Sequence, residues 1–218
     1  MEPAFAIPIV VIVIAAVIAL SVYFSSKRRK ELAAYAQERG LSFRPDKDRG
    51  MDDRYREFKC LRRGRHRYAH NIITGELQGL AVNAFDYHYT TGSGKNRRIH
   101  MFSALVVRSP VAIKPLLIRR ENVFDKVTEF FGLDDIDFES AEFSRKFFVK
   151  SADKRWAFDV IHQRTMEYLL GAPEFSVQFD DENIIAWRSR RFHGKDFDEA
   201  CGLIKGILDR MPGYLHRQ

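Results

Sequence analysis

Four groups of residues have the types and spacing to do chemistry. The first is TTGSGKNRR, Thr90 to Arg98, whose Gly-Ser-Gly-Lys core looks like half of a phosphate-binding loop. A phosphate loop of the Walker type needs Gly, four residues, then Gly-Lys-Ser/Thr, with a helix following to present its N–H groups. Aligned on Gly94-Lys95, Tyr89 stands where the first glycine belongs and Asn96 where the metal-binding hydroxyl belongs. The following NRRIHMFSALVV is strand-like, and Arg97 occupies the third-glycine position of a Gly-x-Gly-x-x-Gly pattern. The stretch therefore reads as a hairpin loop whose glycines supply positive φ. No nucleotide is expected, although Lys95, Arg97 and Arg98 at its tip could meet a lipid or an acidic partner.

The second group follows from that hairpin. Centred on Gly94, it would set His88 opposite His100, and two cross-strand imidazoles with His70 or Asp86 could hold a metal. The competing reading, a pair of half-exposed strand histidines, is preferred, so His88, His100 and Asp86 are only weak metal candidates. The third group is Asp134, Asp135, Asp137, Glu139 and Glu142. Convergent carboxylates can do acid–base work or bind a cation. Here they fall where loop and first-turn charges are expected. The fourth is the pair Cys60 and Cys201, whose spacing fits neither a disulfide framework nor a metal site and suits buried apolar positions. There is no Gly-x-Ser-x-Gly elbow and no Cys–His pairing. Catalytic residues cannot be assigned, no cofactor is expected, and a non-enzymatic role leads.

Charge is the stronger signal. The net charge is +7, and residues 27–75 hold 15 Lys/Arg against 7 Asp/Glu, so the whole excess lies in one stretch. It comes as Lys27, Arg28, Arg29 and Lys30, then as Arg62, Arg63, Arg65 and Arg67. One reading makes the first cluster a topology signal and the second a solvated strand and turn around Gly64. The other sets both against anionic headgroups, where each basic residue contributes on the order of 1 kcal/mol. Nucleic acid could use the same charge, but no recognition-helix pattern, zinc finger or RNA-type aromatic motif accompanies it.

The elements that must position these residues begin with an uncharged run from Pro3 to Ser26. Ala4 to Phe24 is 21 residues, which as a helix rises about 31 Å and matches a hydrocarbon core. A cleaved secretory signal would carry its positive charge before the run; here Glu2 precedes it and KRRK follows. The reading is a single-pass anchor of the cell inner membrane with the C-terminal part cytoplasmic. An Ala-rich centre, Ala15, Ala16 and Ala19, would also permit helix packing in an assembly.

Beyond it, Glu31–Arg39 reads as a short helix capped at Gly40, separate from the anchor or continuing it. Residues 44–56 look like a linker. Strands are expected between Phe58 and Arg119, a helix over Val123–Phe131 capped by Asn122, and a helical turn after Ser140. One helix is expected through AFDVIHQRTMEYLLG, then a hairpin FSVQF–DDEN–IIAWRS. A closing helix should open with a capping box of Asp196 and Glu199. The fold class is α+β: an antiparallel sheet of two hairpins closed by a C-terminal helix, pleckstrin-homology-like or divided into two smaller sheets. The expected divisions are 1–26 as transmembrane anchor, 27–57 as basic juxtamembrane helix and linker, and 58–218 as the cytoplasmic domain, with 58–121 and 122–218 as alternative subdomains.

RHRYAHNIITG, FDYHYTTGSGKNRRIHMFSALVV, DDIDFESAEFSRKFFV and AFDVIHQRTMEYLL together resemble a family of uncharacterised bacterial proteins that pair a short N-terminal membrane segment with one cytoplasmic domain. The resemblance spans roughly residues 60 to 170 and implies that architecture; it brings no catalytic residues. The leading expectation is a membrane-tethered module binding an anionic lipid surface or a membrane-protein partner. The alternative is an enzyme of unrecognised type built on His88, His100 and Asp86.

Overall fold

α1 runs unbroken from Ala6 to Glu38, 33 residues, or about 50 Å of helix. In this computed structural model, which describes residues 6–121 and 136–214, the basic cluster interrupts nothing. Lys and Arg are good helix formers, and the chain offers no glycine before Gly40. There Gly40 takes φ +66°, and Leu41 N–H bonds back to Ala36 O at 2.8 Å, closing the helix as expected. The portion from Val10 onward is apolar and long enough to cross a membrane, and its most apolar stretch is not buried at all inside the protein.

The C-terminal third of α1 behaves differently. Leu32, Tyr35 and Ala36 are buried in the main core. The segment 27–57, read from composition as a basic juxtamembrane helix and linker, is thus built into the folded unit from Arg28 onward. It also supplies β1 (Ser42–Arg44), an edge strand, and α2 (Met51–Arg54), with Met51 fully buried.

The remaining elements are β2 (Arg65–Leu77), β3 (Leu80–Thr91), β4 (Arg98–Arg108), β5 (Leu116–Arg120), α3 (Ala141–Lys146), β6 (Phe147–Lys150), α4 (Lys154–Val160), α5 (Gln163–Gly171), β7 (Ser176–Phe179), β8 (Asn183–Arg188) and α6 (Gly194–Leu208). The two expected hairpins, β3–β4 and β7–β8, do form. They are not separate: they join in one eight-stranded antiparallel sheet, ordered β1-β2-β3-β4-β8-β7-β5-β6. β8 pairs with β4, so the two halves of the chain share one sheet.

Both faces of the sheet are covered. α1 and α6 lie over the face carrying Ile73, Val82, Leu105 and Ile184. The segment with Met51, Phe58 and Leu61 covers Phe85, Tyr87 and Phe102 on the other, where Tyr87 O–H donates to Leu61 O at 2.6 Å. β4 is buried on both sides from Phe102 to Val107, which fits the apolar run there, Ser103 apart.

Three local expectations shift. AFDVIHQRTMEYLLG is two helices, broken at Ile161-His162, with α4 capped by Asp153. α6 is capped at His193 with Asp196 in the third position, not at Asp196. Ser140 caps α3 as expected, but the chain turns to strand at Phe147. The helix expected over Val123–Phe131, its cap Asn122, and Asp134 and Asp135 lie outside the described residues.

Candidate functional site

The site forms where α1 leaves the sheet. From Val10 onward Arg28 is the first residue of α1 to be buried, and its guanidinium reaches Asp86 on β3 through Nε at 3.1 Å and Nη2 at 2.9 Å. Asp86, 1% exposed, also accepts from Asn71 Nδ2 at 3.0 Å and from the Ser103 hydroxyl. Ser103 Oγ in turn accepts from Phe192 N–H at 2.9 Å. Burial alone would raise the Asp86 carboxyl; the bonds from Arg28, Ser103 and Asn71 outweigh it and hold the group below the usual carboxylate range. Asn71 comes to this point because β2 breaks register between His70 and Ile73, with Asn71 at φ +51°, a conformation that asparagine tolerates better than most residues.

Outside this ion pair a groove of about 380 Å³ opens beside α1. One wall is α1 itself: Ser21, Phe24, Ser25, Arg28 and Arg29. The other is Pro45 and Lys47, then Tyr68, His70 and Asn71 of β2, Met101 of β4, and Arg191. A second recess of about 330 Å³ adjoins it, sharing Phe24, Arg28 and Arg191 and adding Lys27, Glu31, Phe192 and His193. Lys47 Nζ lies 4.6 Å from the centre of the Tyr68 ring, which stacks on His88 at 4.5 Å. His70 is half-buried, and burial, reinforced by Arg191, keeps its imidazole below the ordinary histidine pKa, hence neutral at neutral pH. Arg29, Lys47 and Arg191 are exposed, and among the described residues none forms an ion pair. The groove is therefore cationic at its rim and mixed along the helix, where Phe24 is the one apolar side chain among Ser21, Ser25, Arg28 and Arg29.

The eight basic residues expected from sequence divide by what they touch. Lys27, Arg29 and Lys30 project from α1 into solvent. Arg28 does not face outward: it is held by Asp86 and approaches Glu31 at 3.6 Å. Arg67 is likewise structural, with Nε 2.6 Å from buried Asp52 and Nη1 donating to Gly64 O at 2.8 Å. Arg65 is exposed and donates to Gly92 O across the β2–β3 pair. Arg62 is exposed, and Arg63 lines a separate recess of about 270 Å³ with Tyr89, His100 and Trp187.

The expected histidine pair does not form. The β3–β4 register sets His88 opposite Met101 and His100 opposite Tyr89, one residue away from a hairpin centred on Gly94. Directly paired residues share a face, so the two imidazoles lie on opposite faces of the sheet. His88 bonds His66 O at 3.1 Å, while His100 meets Thr91 Oγ1 at 2.7 Å and stacks on Tyr89. Asp86 is committed to Arg28. Among the described residues no three His, Cys, Asp or Glu side chains gather as metal ligands. The Gly-Ser-Gly-Lys stretch is a hairpin turn with Gly92 at φ +69°, where a Cβ would strike Asn96 O. It opens no helix beyond the single 3-10 turn Gly94–Asn96.

Sequence reasoning missed Lys47, Tyr68, Asn71 and Arg191 as neighbours of one site. Their separation along the chain left no local signal; only the β2 irregularity and the β4–β8 pairing bring them to α1.

No family model matches the chain, and no curated protein matches it. Among solved structures, the fold is similar to that of the mycobacterial trehalose monomycolate transport factor A, TtfA, with a TM-score of 0.61, 12% identity, and coverage of 83% of this chain and 92% of that one. At that identity the likeness is one of fold, and it shows that an α+β arrangement of this kind, an antiparallel sheet with its helices, exists in an experimentally solved protein.

Proposed function

We propose that this protein is a single-pass module of the inner membrane whose cytoplasmic domain binds anionic lipid at the foot of its own anchor. The observation that carries the reading is the groove beside α1, where the exposed cations Arg29, Lys47 and Arg191 ring a cleft whose helical wall holds Phe24. A phosphate or carboxylate headgroup would meet the cations, and the first carbons of its chains would meet Phe24 and Met101. Lys27 and Lys30 add charge at the same level, as expected for the leaflet rich in anionic lipid. The pleckstrin-homology-like description belongs to this proposal as an analogy of use: a sheet closed by one C-terminal helix, presenting basic residues to a bilayer. The transport role that names the structurally similar mycobacterial factor is compatible with a lipid ligand and supplies no residue.

The test is retention of phospholipid by the full chain, purified in mild detergent and weighed intact by native mass spectrometry. Anionic phospholipid should be retained over phosphatidylcholine, and Arg29→Glu/Lys47→Glu/Arg191→Glu should abolish the preference. Equal retention of both lipids, unchanged in the triple variant, would overturn the proposal.

A further inference from the structure

α1 and β4 rise together toward the apolar end of the helix. At the level of Arg28 the helix is tied through Asp86 to Ser103 of β4. One groove further out, Ser21 and Phe24 of α1 stand with Met101. From Arg28 to Ser21 is about 10 Å along a helix, and from Ser103 to Met101 about 7 Å along a strand. The two elements therefore advance in the same direction, and Met101 already stands level with the end of the apolar run that closes at Phe24. Ile99 lies two residues further out on the same face as Met101 and Ser103.

Ile99 is 62% exposed and Met101 39% exposed, on the side of the sheet that faces α1. β8 pairs with β4 only from Ser103 onward and leaves Arg98 to Phe102 with one neighbouring strand; Met101 reaches the groove beside α1, and both side chains remain open to solvent over much of their surface. Beyond them toward the hairpin tip, Lys95, Arg97 and Arg98 are all exposed, and Arg65 ties the start of β2 to Gly92. Two exposed apolar side chains beside three exposed cations, on the side of the sheet that faces a helix fit to cross a membrane, have the chemistry that an anionic bilayer interface takes up.

We infer that the β3–β4 hairpin is a second membrane contact, dipping Ile99 and Met101 into the interfacial layer while Lys95, Arg97 and Arg98 engage headgroups. The inference needs α1 to cross the bilayer but does not need the groove to hold a headgroup. With two points of contact the domain cannot spin about its anchor, so one face of the sheet is kept toward the lipid.

The test uses the full chain reconstituted in vesicles of phosphatidylcholine and phosphatidylglycerol, with an environment-sensitive fluorophore at one introduced cysteine and lipids brominated near the headgroup as quenchers. Cys60 and Cys201 are buried and serve as the unlabelled background. Val22→Cys on α1 reports the anchor, Ile99→Cys the hairpin, and Glu182→Cys the β7–β8 turn beside Asn183, which pairs with Arg108 at the other end of β4. Ile99→Cys should be quenched several-fold more than Glu182→Cys and approach Val22→Cys. Quenching of Ile99→Cys equal to Glu182→Cys, with Val22→Cys strongly quenched, would overturn the inference and leave the anchor standing. If Val22→Cys also resists quenching, both fall.

Discussion

Arg28 and its three basic neighbours are alike in composition, yet only Arg28 is taken into the protein. Helical phase separates them. Arg28 stands four residues before Leu32, which with Tyr35 and Ala36 forms the buried stripe, so Arg28 extends that stripe toward the apolar run. That much is legible in the sequence; the identity of its partner is not, because Asp86 lies 58 residues away on a strand whose register has to be known. Removing one member of a buried pair strands the other's charge and costs about 3–5 kcal/mol. Arg28→Met should therefore lower unfolding stability by about that much, read by denaturant titration of the protein in detergent. Arg28→Met/Asp86→Leu should recover most of the loss, since an apolar pair of similar volume is often neutral in such a place. The pair also fixes a pH dependence. The Asp86 pKa is depressed on folding, so its stabilisation is present above the unfolded value of about 3.9 and is lost as pH falls through the folded value. Wild type should thus lose stability below about pH 4 more steeply than the double variant.

At the scale of elements, the apolar run continues unbroken into the part of α1 that packs against the sheet. The cut in composition at Ser26 marks where charge begins, and the fold ignores it: packing starts at Arg28. A chain beginning at Ser25 keeps the ion pair, while one beginning at Glu31 leaves Asp86 buried with only Asn71 and Ser103. The shorter chain should unfold earlier in a thermal melt followed by circular dichroism, losing about 3 kcal/mol or more. Equal melting of the two would mean that Asp86 finds another partner. Strand positions are legible where β-branched and aromatic runs meet glycine turns, as in β3 and β4, or a polar turn, as between β7 and β8. Register is not, because a turn through Gly92, Gly94 and a 3-10 segment centres the hairpin between Gly94 and Lys95. That half-step exchanges a histidine pair for two separate stacks, Tyr68–His88 and Tyr89–His100. The break at Ile161-His162 is equally hidden, since apolar spacing continues through it while the His162 ring bonds Arg210 O at 2.7 Å.

Over the whole molecule, the sheet order depends on β4 meeting β8 some 80 residues later, a pairing that no local pattern encodes. Once it forms, Arg191 from the far side of the chain joins Arg29 and Lys47, so the charge beside α1 is partly drawn from outside the stretch of residues 27–75. Location, rather than net charge, should then decide how the domain meets a bilayer. A chain beginning at Ser25 allows the comparison in a vesicle sedimentation assay with anionic lipid. Arg29→Glu/Arg191→Glu changes net charge by the same amount as Arg108→Glu/Lys205→Glu, but Arg108 and Lys205 sit toward the ends of β4 and α6 that point away from the groove. Two basic contacts near the surface amount to about 2 kcal/mol, roughly thirtyfold in affinity. The first pair should weaken binding by at least that factor and flatten its dependence on salt, because fewer counterions are exchanged at the surface. The second should change binding little, since charges held farther than a Debye length of about 8 Å from the leaflet are largely screened. Equal losses from the two pairs would mean that the bilayer responds only to overall charge, and the groove would then have no special part in it.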